Sequence, residues 1–318
     1  MKLLFFGSGA FGLPTVQHLH ASERHDLVAV VSQPDKPAGR KRELTATPVA
    51  AWAAEHDVPV YKSDDVNADD MVRLVRGFGV EASVVIAFGQ KLSPELIDAM
   101  GRLAINVHSS LLPKYRGAAP INWAMIEDEK ATGVSVIGLA QTMDAGEVYA
   151  TASTDIDPRE TAGELHDRLA ELGPGVVDKV LADLEADALA PVEQGHDAAT
   201  RAPKFTKADG SVDLSMPAAK VRARVHGLTP WPGCRVTWRS ARKGEAQTLF
   251  LRRVADGDCE PHTQPPGTVQ QDLRVACGEG SIELLEVQLP GGKLLDFDDF
   301  VRGHGFAPGD TLSTVSRP

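Results

Sequence analysis

Cysteine is almost missing from this chain: Cys234, Cys259 and Cys277 are the three in 318 residues, far apart and without a C-x-x-C pair. That spacing excludes a disulfide framework and a thiolate metal cluster, and leaves the thiols as reduced packing residues. Aromatic residues are scarce too, at 5%. No apolar run approaches the roughly 20 residues of a membrane span. No basic stretch followed by an apolar core precedes the first strand-like run, so a cytoplasmic protein with no membrane partner is expected. Cations are in the minority, 33 Lys and Arg against 44 Asp and Glu, for a formal net charge of -11. Taken as an average, that balance argues against nucleic acid.

The average conceals a division. From Arg201 to Arg253 there are 12 Lys and Arg against 3 Asp and Glu, whereas Thr154 to Thr200 holds 12 acids against 3 bases. The loop "KPAGRKR" (Lys36 to Arg42) adds four cations in seven residues. Its Pro and Gly rule out helix-surface pairing as their explanation. Two basic clusters on an acidic chain indicate a polyanionic partner.

Hydrophobic periodicity divides the chain into two regions. In the first, continuous apolar runs alternate with helical patterns. The runs are "LLFF", "LVAVVS" (Leu27 to Ser32), "ASVVIAF" (Ala82 to Phe88), "LAINVH" (Leu103 to His108) and "GVSVIGLA" (Gly133 to Ala140). Helices are predicted over 47–58, 68–79 and 93–100, and one long helix over "TAGELHDRLAELGPGVVDKVLADLEAD". Apolar strands alternating with helices predict an α/β fold with a doubly wound, mainly parallel, Rossmann-like sheet. The Ala/Pro/Gly/Gln-rich stretch near 189–204 reads as a linker. Beyond it, a short helix (Ala218 to Gly227) and the runs "RVTWRS", "TLFLRRV", "GTVQQ", "RVACGEG" and "SIELLEVQL" predict a smaller, OB-like β-barrel. The expected division is a catalytic domain over 1–188, the linker, and a barrel domain over 205–318.

Two places carry chemistry. "GSGAFG" sets Gly7, Gly9 and Gly12 at G-x-G-x-x-G spacing between a strand and a helix, with Asp35 downstream, the context of a dinucleotide fingerprint. The denser place is "NVHSSLLPKYRGAAPINW". Asn106 and His108 lie two apart at a strand end and so leave the same face of the sheet, at the carboxyl end where ligands bind. A Ser/Pro/Gly loop with two leucines follows, suited to an apolar pocket wall. Asp144 stands in a polar turn just past another strand, placed to meet the imidazole. Amide, imidazole and carboxylate without a Ser or Cys nucleophile suggest that the substrate brings the nucleophile. An amine attacking an acyl carbon fits: Asn106 donates to the oxyanion, His108 polarises the acyl oxygen or moves a proton, and Asp144 orients His108 and accepts the proton.

"NVHSSLLPKYRGAAPI", followed about thirty residues later by "MDAGE", resembles the formyltransferase family that uses 10-formyltetrahydrofolate. The resemblance implies Asn106, His108 and Asp144 as the catalytic set, with Ser110, Leu111, Leu112 and Pro113 lining the folate site. "SQPDKPAGRKRELTATPV", "FTKADGSVDL" and "TPWPG" are similar in particular to members that formylate methionyl initiator tRNA. Such members imply RNA contacts at Arg40, Lys41 and Arg42, at Lys204 at the end of the linker and, in the barrel domain, at Lys207, Lys220, Arg222 and Arg224. A relative acting on a small amino sugar or nucleotide shares the catalytic set but has no need of the basic loop and barrel. Where the family usually reads G-T-P-x-F-A this chain has "GSGAFG", and Leu214 stands where Trp is frequent. The glycine fingerprint is therefore read as coincidental: no NAD and no metal are expected, and the protein is expected to be a monomer.

Overall fold

The computed structural model describes residues 1–39, 42–257 and 263–315. The chain forms two units: Met1–Gly117, Gly133–Thr154 and His166–Arg201 make the first, and Ala118–Thr132, Asp155–Leu165 and the chain from Ala202 onward make the second. Each therefore includes pieces that are distant in sequence.

In the first unit β1 (Lys2–Gly7) pairs in parallel with β2 (Asp26–Ser32) and with β6 (Ala82–Ile86). A hairpin of β3 (Lys36–Ala38) and β4 (Glu43–Thr45) follows β2, and β5 (Val60–Lys62) adds to the sheet edge beside β2. On the other side β7 (Leu103–His108) extends β6 in parallel. After the short β8 (Arg116–Gly117) come β9 (Ala131–Gly138), which runs antiparallel to β7, and β10 (Val148–Asp155). The order across the sheet is β10-β9-β7-β6-β1-β2-β5. Leu4, Phe6, Ala29, Val31, Val85, Val72 and Leu96 share one buried cluster, which explains the continuous apolar character of the strands.

Around this sheet lie α1 (Leu13–Ala21), α2 (Pro48–Glu55), α3 (Asp69–Gly77) and α4 (Pro94–Ala99). Two of the starts are capped: Thr47 and Ser93 accept the N–H groups of Ala50 and Leu96, each followed by proline at the first helical position. The glycine-rich turn has a packing cause. A Cβ on Gly7 would lie 2.4 Å from the Phe5 ring and one on Gly9 3.0 Å from the Ala87 Cβ. The glycines let the Phe5 ring and Ala87 close against the turn.

The single long helix expected near residue 170 is two. The chain forms α6 (Ala162–Ala170) and α7 (Gly173–Glu185), because Pro174 has no N–H for the Ala170 carbonyl and its ring crowds it.

The second unit contains α5 (Pro120–Ile126), α8 (Ala218–Gly227) and, beyond β11 (Arg201–Ala202), an antiparallel barrel. Its strands are β12 (Cys234–Arg239), β13 (Ala246–Asp256), β14 (Val275–Ala276), β15 (Ser281–Gln288), β16 (Leu294–Asp296) and β17 (Thr311–Thr314), ordered β14-β15-β13-β12-β17 with β16 on β15. Bridges from Thr268 to Thr311 and from Val269 to Val275 connect the ends of that order and nearly close the ring. The unforeseen α9 (Phe297–His304) brings Phe297 and Phe300 into the barrel core with Phe306 and Trp238. The Trp238 Nε1–H donates to buried Asp310 at 2.8 Å, and that carboxylate also accepts from the Ala241 and Ala307 N–H groups. Cys234 and Cys277 are buried thiols, their ionisation pushed up to about 12 by desolvation; Cys259 lies outside the described residues. Among the described residues no helix is long and apolar enough to cross a membrane.

Candidate active site

Strand periodicity puts Asn106 and His108 on one face of β7, opposite Ile137 and Ser135 of β9. Asn106 is half-buried, and its carboxamide has no hydrogen-bond partner among the described residues. A polar group at a strand end with donors unused is available to a ligand. His108 is 6% exposed and its orientation is fixed: Nε2 lies 3.0 Å from the Tyr115 carbonyl oxygen. A carbonyl only accepts, so Nε2 carries hydrogen and Nδ1 is the nitrogen left for chemistry. Nδ1 faces Asp144 Oδ2 across 3.7 Å.

Asp144 reaches this position through an unusual backbone. Its φ is +55°, in the left-handed region that Asp tolerates. Its Oδ2 accepts the Gly117 N–H at 2.9 Å. The turn folds back on the end of β9, where the Gly138 N–H donates to the Glu147 carbonyl and a Cβ on Gly146 would sit 1.8 Å from the Gly138 oxygen. Glycine is required there by that approach.

The loop between His108 and Gly117 is held from inside. Ser135 Oγ donates to the Ser110 carbonyl and accepts the Leu112 N–H, and the Leu112–Pro113 bond is cis. Leu111, Leu112 and Pro113 are half-buried. Ser110 departs from expectation. It is fully buried and its hydroxyl donates to the Lys114 carbonyl at 2.7 Å, so it shapes the loop and does not present its hydroxyl to a ligand. Tyr115 (φ +63°), the Gly117 amide, Gln194 and Thr200 also enter this arrangement and went unnoticed in the sequence. Left-handed backbone at a tyrosine and an amide in a linker-like stretch leave no local signal. Among the described residues no group of three or more His, Cys, Asp or Glu is placed to hold a metal.

The expected RNA contacts divide. Lys204, Lys207 and Lys220 are exposed, as is Arg42, while Arg40 and Lys41 lie outside the described residues. Arg222 is not the solvent-facing cation its sequence suggests. Its exposure is 9%, its Nε meets both Asp256 oxygens at 3.0 Å and its Nη2 lies 3.1 Å from Asp128. Arg224 is half-buried and donates to the Ser211 and Asp209 carbonyls at 2.6 and 2.9 Å. Both sit on α8, whose buried residues include Arg222.

The family model described as "Formyl transferase" matches residues 1–181, and "Formyl transferase, C-terminal domain" matches residues 204–305. A methionyl-tRNA formyltransferase of Solibacter usitatus is 38% identical over 314 residues, covering 98% of each chain, and one of Pelobacter propionicus is 40% identical over 320 residues, covering 100% of this chain and 98% of its own. The chain belongs to the methionyl-tRNA formyltransferase family. Among solved structures, an N-formyltransferase from Helicobacter canadensis, in complex with folinic acid and dTDP-3-aminofucose, has a TM-score of 0.64 at 12% identity over 89% of this chain and 99% of that one. HypX from Aquifex aeolicus has a TM-score of 0.61 at 17% identity over 96% of this chain and 49% of its own, so this chain spans about half of HypX. The likeness to these structures is one of fold, and the two-part formyltransferase architecture is common to the family. In this chain Asn106 and His108 stand on one face at the end of β7, an interior strand of the sheet, with Asp144 Oδ2 3.7 Å from His108 Nδ1.

Proposed function

We propose that this enzyme transfers the formyl group of 10-formyltetrahydrofolate to the free amino group of methionyl initiator tRNA. The observation that carries it is similarity to methionyl-tRNA formyltransferases at 35 to 40% identity along essentially the whole chain, barrel included. In this reading residues 1–188 are the catalytic domain, 189–204 connect, and 205–318 hold the RNA, in a monomer. The apolar side chains of Leu111, Leu112 and Pro113 suit the flat ring of the folate, with Ser110 fixing the loop behind it.

The unpartnered Asn106 carboxamide donates to the formyl oxygen as negative charge gathers there, which lowers the barrier most when the donor is already in place. The amine nitrogen bonds to the formyl carbon and sheds a proton to Asp144. His108 presents Nδ1 beside that carboxylate, where the ring relays or steadies the proton. The bond from carbon to the folate nitrogen then breaks, and that nitrogen takes a proton in turn. Lys204, Lys207 and Lys220, with Arg40, Lys41 and Arg42 of the loop, supply phosphate contacts. The exposure of Lys204, Lys207, Lys220 and Arg42 and the positive charge of all six support this role. The test is direct: incubate the protein with 10-formyltetrahydrofolate and charged initiator tRNA and measure formylmethionyl-tRNA. Formylation of an amino sugar nucleotide instead of the tRNA would overturn the reading in favour of a small-molecule formyltransferase.

A further inference from the structure

The stretch at 192–200, connecting in sequence, is tied to both halves of the site. Val192 exchanges backbone hydrogen bonds with Val148 at 2.8 and 2.9 Å. Gln194 is 7% exposed and uses its full hydrogen-bonding capacity. Its Nε2 donates to the Asp144 and Gly146 carbonyls at 2.9 and 2.7 Å, and its Oε1 accepts from Arg116 Nε and Nη2 at 3.0 and 2.6 Å. Six residues on, Thr200 Oγ1 accepts the Tyr115 N–H at 2.8 Å and its carbonyl accepts the Arg116 N–H at 2.9 Å. The Tyr115 carbonyl in turn orients His108, and the Gly117 N–H holds Asp144.

We propose that residues 192–200 form a clasp that sets the separation of His108 and Asp144, with Gln194 and Thr200 as positioning residues for formyl transfer. The proposal rests on the functional reading above, in which those two side chains are catalytic. Both segments the clasp grips are irregular. Asp144, Tyr115 and Gly117 have φ of +55°, +63° and +129°, and such conformations persist when neighbouring contacts over-determine them. Gln194 spans the gap because an amide offers two donors to carbonyls and an acceptor to a guanidinium at once; neither Glu nor Lys does so.

Steady-state formylation and the Gly117 amide resonance test it together. Gln194→Ala is expected to lower kcat about tenfold to a hundredfold, the effect of sub-ångström to ångström misplacement of reacting groups. The KM values for tRNA and folate should stay within about threefold, since Gln194 is buried and its polar atoms are all engaged within the chain. The Gly117 amide proton, hydrogen-bonded to a carboxylate, should move upfield. Thr200→Val should lower kcat in the same way, and Thr200→Ser, which keeps the accepting hydroxyl, should restore it. An unchanged kcat and Gly117 resonance in folded Gln194→Ala, or Thr200→Ser as impaired as Thr200→Val, overturns the clasp. Should Gln194→Ala not fold, the Thr200 pair decides. If the wild-type protein leaves methionyl-tRNA unformylated, the functional reading fails separately, and the Gly117 resonance still decides whether the clasp holds Asp144.

Discussion

At the scale of single residues, the site is defined by which polar atoms are left without internal partners. Asn106 keeps its carboxamide for a ligand, whereas Ser110 uses its hydroxyl on the Lys114 carbonyl. Asn106→Ala is expected to reduce turnover by about two to three orders of magnitude, the usual loss for one oxyanion donor, with folate binding little changed. A loss below about fivefold would remove Asn106 from the mechanism. Asp144→Asn keeps an oxygen for the Gly117 N–H and so should fold normally, but an amide accepts no proton. Its formylation rate should be largely lost across pH 6 to 9; wild-type rates in that range would refute the proton-acceptor role.

At the scale of elements, α8 is the informative one. The Val254 N–H donates to His226 Nε2 at 3.1 Å, so Nδ1 carries the proton, and it is buried with no acceptor in full hydrogen-bond geometry among the described residues. Burial, aided by Arg222 and Arg253, pushes the His226 pKa down to about 4. The unfolded chain, with an ordinary histidine, binds the proton first as pH falls. Stability should therefore be full above about pH 6.5 and decline toward pH 4, by on the order of 3 kcal/mol. Glu164 behaves in a lower window: its hydrogen bonds to Arg253 pull its pKa down to about 2, so its contribution is present above about 4.5 and lost as pH approaches 2. In His226→Gln, denaturant unfolding measured at several pH values should show a flatter decline between pH 6.5 and 4. An identical slope would mean that another group governs that limb.

For the whole molecule, the excess of cations after Arg201 is not one surface. Arg222 and Arg253 are consumed in ion pairs with Asp128, Asp256, Glu164 and Glu286, and Arg224 and Arg252 in hydrogen bonds. The exposed remainder includes Lys204, Lys207, Lys220, Arg242 and Lys243, of which the last two, near the β12–β13 turn, were not singled out from sequence. Lys207→Ala and Lys220→Ala should each reduce the slope of log Kd against log salt for tRNA by about one unit. Arg222→Ala should leave that slope alone and instead lower unfolding stability by about 2 to 3 kcal/mol, because Asp128 and Asp256 lose a partly buried partner. A salt-slope change in Arg222→Ala with unaltered stability would reverse this assignment.

The sequence by itself determined the strand–helix alternation of the first region, the parallel core, the barrel and the strand-end pair of Asn106 and His108. Apolar periodicity, capping residues such as Thr47 and Ser93, and turn residues act within a few positions of where they are read. It did not determine the break at Pro174 in a helical pattern that otherwise continues, the plug formed by α9, the commitment of Arg222, or the clasp at Gln194. Charge along a chain does not tell which cations face solvent, since pairing partners such as Asp128 and Asp256 lie 94 and 34 residues from Arg222. The same holds for Gln194, 50 residues from Asp144 and 78 from Arg116. Contacts of that span exist only once the chain has folded, and there tertiary structure alone assigns each polar atom its partner.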